Sequence, residues 1–170
     1  MYTLIILFYS LGAHIAALFS KKVRLMIKGQ HETFGKLRSE IDPDAHYVWV
    51  HAASLGEFEQ GRPLIERIRA THPHIKILLT FFSPSGYEVR KNYEGADVIC
   101  YLPFDTPLNA RRFVRLANVK MAFFIKYEFW FNYLDELGKR NIPTYVVSAI
   151  FRPKSVFFRP WGGAWRKALK

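Results

Sequence analysis

Five runs of apolar, β-branched or aromatic residues recur along the chain: "YVWVHA" (47–52), "IKILLTF" (75–81), "DVICYL" (97–102), "VKMAFFI" (119–125) and "IPTYVVSA" (142–149). Between them lie stretches whose apolar residues fall at helical spacing. Leu64, Ile65 and Ile68 form one stripe, Phe113, Val114 and Ala117 a second, and Leu134, Leu137 and Gly138 a third. Strands alternating with helices constrain the fold strongly, because each helix carries the chain back so that the next strand runs parallel, through a right-handed crossover. The runs are near-continuously apolar, as expected of strands covered by helices on both faces. The expected class is therefore α/β, an open, doubly wound parallel sheet. Ligands in such sheets bind beyond the carboxyl ends of the strands. The residues that close each strand are the ones that bear on function.

At 170 residues the chain has the size of one domain with a sizeable core. Half of it is hydrophobic, which excludes an intrinsically disordered chain. A formal charge of +11 points to an anionic partner: nucleic acid, an acidic membrane surface or a phosphorylated substrate. Cys100 is the single cysteine, so there is no disulfide framework or thiolate metal site, and its place in "DVICYL" reads as core. The histidines show no helical metal pair. His72 and His74 flank Pro73 in what reads as a solvated loop.

The amino end has a different character. "YTLIILFYSLGAHIAALF" runs 18 residues without a formal charge and is followed at once by "KKVRLMIK". That length is near the lower limit for spanning a bilayer, and basic residues after it would place the rest of the chain in the cytoplasm. Residues 1–28 are thus expected to form a membrane-anchor helix with a basic flank. An interfacial helix is the other reading, because Ser10, Gly12 and His14 interrupt the run. The polar stretch 29–45, with Gly29, Gly35 and Pro43, is expected to be a linker, leaving residues 46–170 as the α/β domain.

The strand ends carry the candidate chemistry. After the first strand, "HAASLGEFEQ" places Ser54, Gly56 and Glu57 at the sheet's mouth. Ser54 and Glu57 have capping-box spacing, a structural role that itself sets a carboxylate there. After the second, "FFSPSGYE" puts Ser83 before Pro84 at a helix start, with Ser85 and Gly86 permitting close approach. After the third, Asp105 or Thr106 would cap the following helix, and Asp105 reads as structural. After the fourth, "KYEFWFN" brings a second carboxylate, Glu128, among large rings. After the fifth, Arg152 and Lys154 add positive charge. Two carboxylates facing one crevice from separate strands are what acid/base chemistry needs. The basic, aromatic tail "VFFRPWGGAWRKALK" suits contact with anionic lipid, or with nucleic acid.

Taken in order, "VHAASLGEFEQGRPLIERI", "FFSPSGYE", "YLPFDTPLNARRF", "KYEFWFN" and "SAIFRPKS" resemble the amino-terminal half of 3-deoxy-D-manno-octulosonic acid (Kdo) transferase, over essentially the whole chain. The resemblance implies a glycosyltransferase of the GT-B type, in which two Rossmann-like halves face each other across a cleft. The amino-terminal half would hold a lipid A precursor as acceptor, and the donor CMP-Kdo would be bound by a carboxyl-terminal half outside this chain. The present chain would then be inactive by itself. The family's catalytic glutamate falls on Glu57 and the glutamate of its "E-x-E-L-W-P-N" string on Glu128. Its Ser/Thr-Pro-Ser/Thr-Gly turn falls on Ser83 to Gly86, and the arginine after the fifth strand on Arg152. Two positions depart from the pattern: Lys126 replaces a glutamate and Phe131 a proline.

The activity implied by this resemblance is Kdo transfer from CMP-Kdo in lipopolysaccharide biosynthesis, at the inner membrane and on its cytoplasmic side. Glu57 would take the proton of the attacking acceptor hydroxyl in an inverting displacement, a role carboxylates play on water in inverting glycosidases. No cofactor or metal is called for, and nucleic acid is not an expected partner. A membrane-tethered binding module for anionic glycolipid, without chemistry, is the alternative, with a nucleic-acid-binding domain behind it.

Overall fold

The computed structural model describes residues 2–127 and 129–149, together with Gly163. Glu128, Arg152, Lys154 and the basic, aromatic tail apart from Gly163 lie outside the described residues. The elements run in chain order as α1 (Tyr2–Ala16), α2 (Lys21–Glu40), β1 (Tyr47–His51), α3 (Leu55–Thr71), β2 (Lys76–Phe81), α4 (Pro84–Arg90), β3 (Val98–Tyr101), α5 (Pro107–Leu116), β4 (Val119–Ile125), α6 (Phe131–Lys139) and β5 (Thr144–Val147). All five strands pair in parallel, in the order β3-β2-β1-β4-β5. The α/β expectation holds, and the sheet is Rossmann-like. The strand order reverses between β1 and β4, which is where an open α/β sheet leaves a crevice at its carboxyl edge.

Each strand feeds two cores because successive side chains point to opposite faces. Trp49, Leu78, Cys100 and Phe124 pack on one face with Phe113 and Tyr133 from the covering helices. Val48, Val50, Leu79 and Ile125 pack on the other with Phe58 and Ile65 of α3. Trp49 is the hub of the first core, its ring 4.9 Å from Phe113, 5.0 Å from Phe124 and 5.6 Å from Tyr133. Cys100 is buried there, and burial pushes its thiol up to about 12, so it is core and no nucleophile.

The amino end departs from the sequence-based expectation. The uncharged run folds as α1, 15 residues long, or about 22 Å at 1.5 Å per residue. A bilayer core is about 30 Å thick. No helix among the described residues is long and apolar enough to cross a membrane. The helix stops because Ser20, in extended backbone, starts a new one, its Oγ accepting from the Val23 amide. Instead of standing apart, α1 lies against the carboxyl edge of the sheet. The Tyr2 hydroxyl donates to Asp105 at 2.7 Å, and Tyr9 packs on Phe82 and Phe104.

Nor is the stretch from residue 29 a linker as far as Glu40. It continues α2, which buries Met26, Gln30, Thr33 and Leu37 along one stripe. Two of those four are polar, which hides the stripe from a hydrophobicity pattern. Thr33 donates its hydroxyl to the Tyr101 carbonyl at 2.7 Å, and a Cβ on Gly29 would stand 2.1 Å from the Tyr101 ring. Gly29 serves close packing of α2 on edge strand β3, and the helix shields that edge.

Candidate active site at the carboxyl edge

Ser54 takes the N-cap position of α3 in extended backbone, and Glu57, at the third helical position, closes a capping box. Glu57 Oε2 accepts from the Ser54 amide at 3.0 Å. The structural role and the placement come together: the cap holds a half-buried carboxylate at the mouth of β1, on the β1 side of the switch point. Gly56 faces open space, with nothing within 4 Å of a Cβ built there.

The β2–α4 turn is tied to this one. The Ala53 carbonyl accepts from the amides of both Phe82 (3.2 Å) and Ser83 (2.7 Å). Ser83 caps α4 as expected, its Oγ accepting from the Ser85 amide at 3.3 Å and lying 3.0 Å from the Ser85 hydroxyl. Gly86 does something other than admit a ligand. It is buried, and a Cβ there would lie 2.2 Å from the Phe81 ring, so its small size lets α4 seat on β2.

His51 is the residue that sequence reasoning missed. It closes β1 and is fully buried. The Trp130 indole donates to His51 Nε2 at 3.1 Å. The other ring nitrogen of His51, Nδ1, lies 2.8 Å from Thr80 Oγ1. Thr80 Oγ1 accepts from the Trp49 indole at 2.8 Å. The network spans the switch point, joining β1 and β2 to the turn after β4 that contains position 128. The available signal was a polar residue ending an otherwise apolar strand, a small clue beside the glutamate six positions on.

The turn after β4 is also conformationally unusual. Lys126 has a φ of 65°, and Ser148, after β5, a φ of 60°. Left-handed backbone at non-glycine residues is costly and collects at functional sites. Lys126 is held by its amide donating to the Val147 carbonyl at 2.8 Å. Phe131 begins α6, so the chain passes into a helix where the resembled pattern has proline.

Asp105 is structural, by a longer route than a cap of its own helix. Thr106 caps α5 through the Asn109 amide. Asp105 caps α6: its Oδ1 accepts from the Tyr133 amide at 3.0 Å and its Oδ2 from the Asn132 amide at 3.1 Å. Burial pushes its carboxyl above the usual range, against the hydrogen bonds from Tyr2, Asn132 and Tyr133. Among the described residues no group of three or more histidine, cysteine or acidic side chains is placed to hold a metal ion. His72 and His74 are exposed.

Comparison with known proteins converges on one family. The model of the amino-terminal region of 3-deoxy-D-manno-octulosonic-acid transferase (kdotransferase) matches residues 28–170. A 3-deoxy-D-manno-octulosonic acid transferase of Haemophilus influenzae is 32% identical over 125 residues, covering 73% of this chain and 29% of the relative. That of Aquifex aeolicus is 37% identical over 84 residues, 49% of this chain and 23% of the relative. A probable mitochondrial 3-deoxy-D-manno-octulosonic acid transferase of Arabidopsis thaliana is 30% identical over 131 residues, 76% of this chain and 29% of the relative. The chain spans under a third of the length of these relatives.

Proposed function

The chain belongs to the 3-deoxy-D-manno-octulosonic-acid transferase amino-terminal family, and from that premise we propose that it forms the acceptor-binding half of an enzyme transferring Kdo from CMP-Kdo to a lipid A precursor. The observation that carries this reading is the position of Glu57. Its helix-start cap fixes a carboxylate at the carboxyl mouth of β1, beside the switch point where α/β sheets take ligands.

The chemistry needs such a group. As the anomeric carbon of Kdo leaves CMP, the incoming sugar hydroxyl must lose its proton, and a carboxylate within reach accepts it. CMP departs as an anion, so the step needs no second acid on the leaving group. Glu128 orients the acceptor. Ser54, Gly56, Ser83 and Ser85 line the rim on the β1–β2 side, and Arg152 and Lys154 meet the acceptor's anionic groups. The exposed apolar side chains of α1 and the following turn, Phe8, Leu11, Leu18 and Phe19 among them, rest in the surface of the inner membrane beside Lys21 and Lys22. Attraction of basic residues to an anionic leaflet adds about 1 kcal/mol for each one near the surface.

The test is Glu57→Gln in the complete enzyme. The amide still accepts the Ser54 amide proton, so the cap survives while the base is lost. The expected result is a fall in kcat of about 10²–10⁴-fold with unchanged thermal stability. Transfer at the parent rate would overturn the assignment and favour the second reading, a glycolipid-binding module in which Glu57 is a cap and nothing more; the capping box itself is what supports that alternative.

A further inference from the structure

A cavity of about 530 Å³ opens between α1, α2 and the β2–α4 turn. Tyr9, Gly12, Ala13 and Ala16 line it from α1, Val23 and Met26 from α2 and Phe82 and Pro84 from the turn, with Lys22 and Ser83 as its polar margin. We propose that this cavity takes a hydrocarbon chain of an amphiphile with an anionic head, one acyl chain of the acceptor lipid; the assignment rests on the transfer function above for the identity of that lipid, but not for the binding.

The space is built into the sequence of α1. Positions 9, 12, 13 and 16 lie on one face of a helix, and three of the four are glycine or alanine. At Gly12 a Cβ would meet nothing within 4 Å, so the glycine is not required for helix packing. Protein interiors are close-packed and rarely keep voids much larger than a water molecule. An open apolar recess of several hundred Å³ has the dimensions of a ligand site.

The lining selects the occupant. A nucleotide or free sugar would bring many hydrogen-bonding groups into the recess. Only Tyr9, Lys22 and Ser83 among the lining residues carry polar side-chain groups, and the Ser83 hydroxyl already holds the Ser85 amide. An alkyl chain asks for no partners. The same helix and the turn after it also present exposed apolar side chains, Phe8 at 72%, Leu18 at 70% and Phe19 at 87%. A lipid phase that covers them would lie beside a helix that lines the recess. At the margin, Lys22 stands in the first turn of α2, which contains no acid, and suits an anionic head. The floor of the cavity is the segment whose Phe82 and Ser83 amides bond the Ala53 carbonyl, next to Ser54 and the helix that carries Glu57. A lipid held by its chain here presents its headgroup to the proposed catalytic rim.

The experiment uses the 170-residue chain with dodecyl phosphate and hexyl phosphate, each below its micelle concentration, and inorganic phosphate. Calorimetric titration should show tighter binding by about fourfold for each added methylene until the recess is full. Inorganic phosphate at equal concentration should leave dodecyl phosphate bound. Gly12→Leu, which puts an apolar side chain into the recess at a position where a helix tolerates it, should weaken dodecyl phosphate at least tenfold without lowering the thermal midpoint. Gly35→Leu, the same addition at an exposed glycine of α2 with open space around it, should leave binding unchanged. Nuclear Overhauser contacts from the alkyl chain to the Met26 methyl should appear in the parent chain, whatever the folding of the variants. Equal affinity for the two alkyl phosphates, displacement by inorganic phosphate, parent-like binding in Gly12→Leu or absent Met26 contacts would each overturn the proposal. These readouts involve no transfer chemistry. Their failure leaves the Kdo-transfer reading standing, and activity in Glu57→Gln leaves the cavity standing.

Discussion

Asp105 shows how one side chain can tie a loop to two helices. Helix α6 begins at Phe131 with no acid in its first turn, and its N-cap, Trp130, supplies no side-chain bond. The carboxylate comes from the β3–α5 loop instead, and α1 adds a third donor through Tyr2. Asp105→Ala would leave the Asn132 and Tyr133 amides without that acceptor in a buried setting. An unsatisfied buried donor costs about 1–3 kcal/mol, so denaturant unfolding should show a loss of about 2–3 kcal/mol. A loss below about 0.5 kcal/mol would mean that other groups or water replace the cap. His51 belongs to the same scale: a residue of no evident chemistry whose two ring nitrogens connect β1 to β2 and to the turn after β4.

Among the elements, α2 makes the sharpest contrast between neighbouring sequence positions. Gly29 and Gly35 are both interior to the helix. A Cβ at Gly35 meets open space, whereas one at Gly29 runs into the buried Tyr101 ring. Alanine is the better helix former by about 1 kcal/mol. Gly35→Ala should therefore raise stability by about 0.5–1 kcal/mol, and Gly29→Ala should lower it despite the same gain in propensity. Thermal or denaturant unfolding of the two variants reads this out. If both stabilise, α2 is not seated on β3 as described. The expected linker failed at this scale for the same reason: glycine and polar residues mark loops when only local pattern is considered, but here they serve a packed interface.

Across the whole molecule, the amino-terminal edge of the sheet carries an acid-sensitive clamp. Asp97, just before β3, accepts from the Ile77 amide at 2.7 Å, from Lys76 at 3.1 Å and from Arg69 at the end of α3. Burial alone would push its carboxyl up, but the Ile77 amide, Lys76 and Arg69 together outweigh burial and hold it below the ordinary carboxylate value. The folded state thus binds the Asp97 proton more weakly than the unfolded chain does. Its stabilisation is fully present above the ordinary carboxylate value near 3.8 and is lost as the pH falls through the lowered native value. Asp97→Asn should lower stability at neutral pH and make it less dependent on pH in the acid range. An unchanged acid profile would show that the clamp contributes nothing. Acidification also adds to a chain already at +11, and that self-repulsion acts in the same direction.

Much of the architecture was legible in the linear order of residues. The strand runs, the caps at Ser54, Ser83 and Thr106 and the burial of Cys100 all depend on periodicity and on contacts within a few positions, which neighbouring residues encode. The same local grammar placed Glu57 at the mouth of a strand. Tertiary structure decided what depends on distant partners. It folded an apolar run that reads as a membrane span into a helix docked on the sheet, turned a would-be linker into the cover of β3, and sent Asp105 to cap a helix other than the next one. It also brought His51 to Trp130, 79 positions away. Side-chain patterns report which face of an element is apolar, but not which surface that face will meet, because the choice rests on shape and hydrogen-bond complementarity with distant partners.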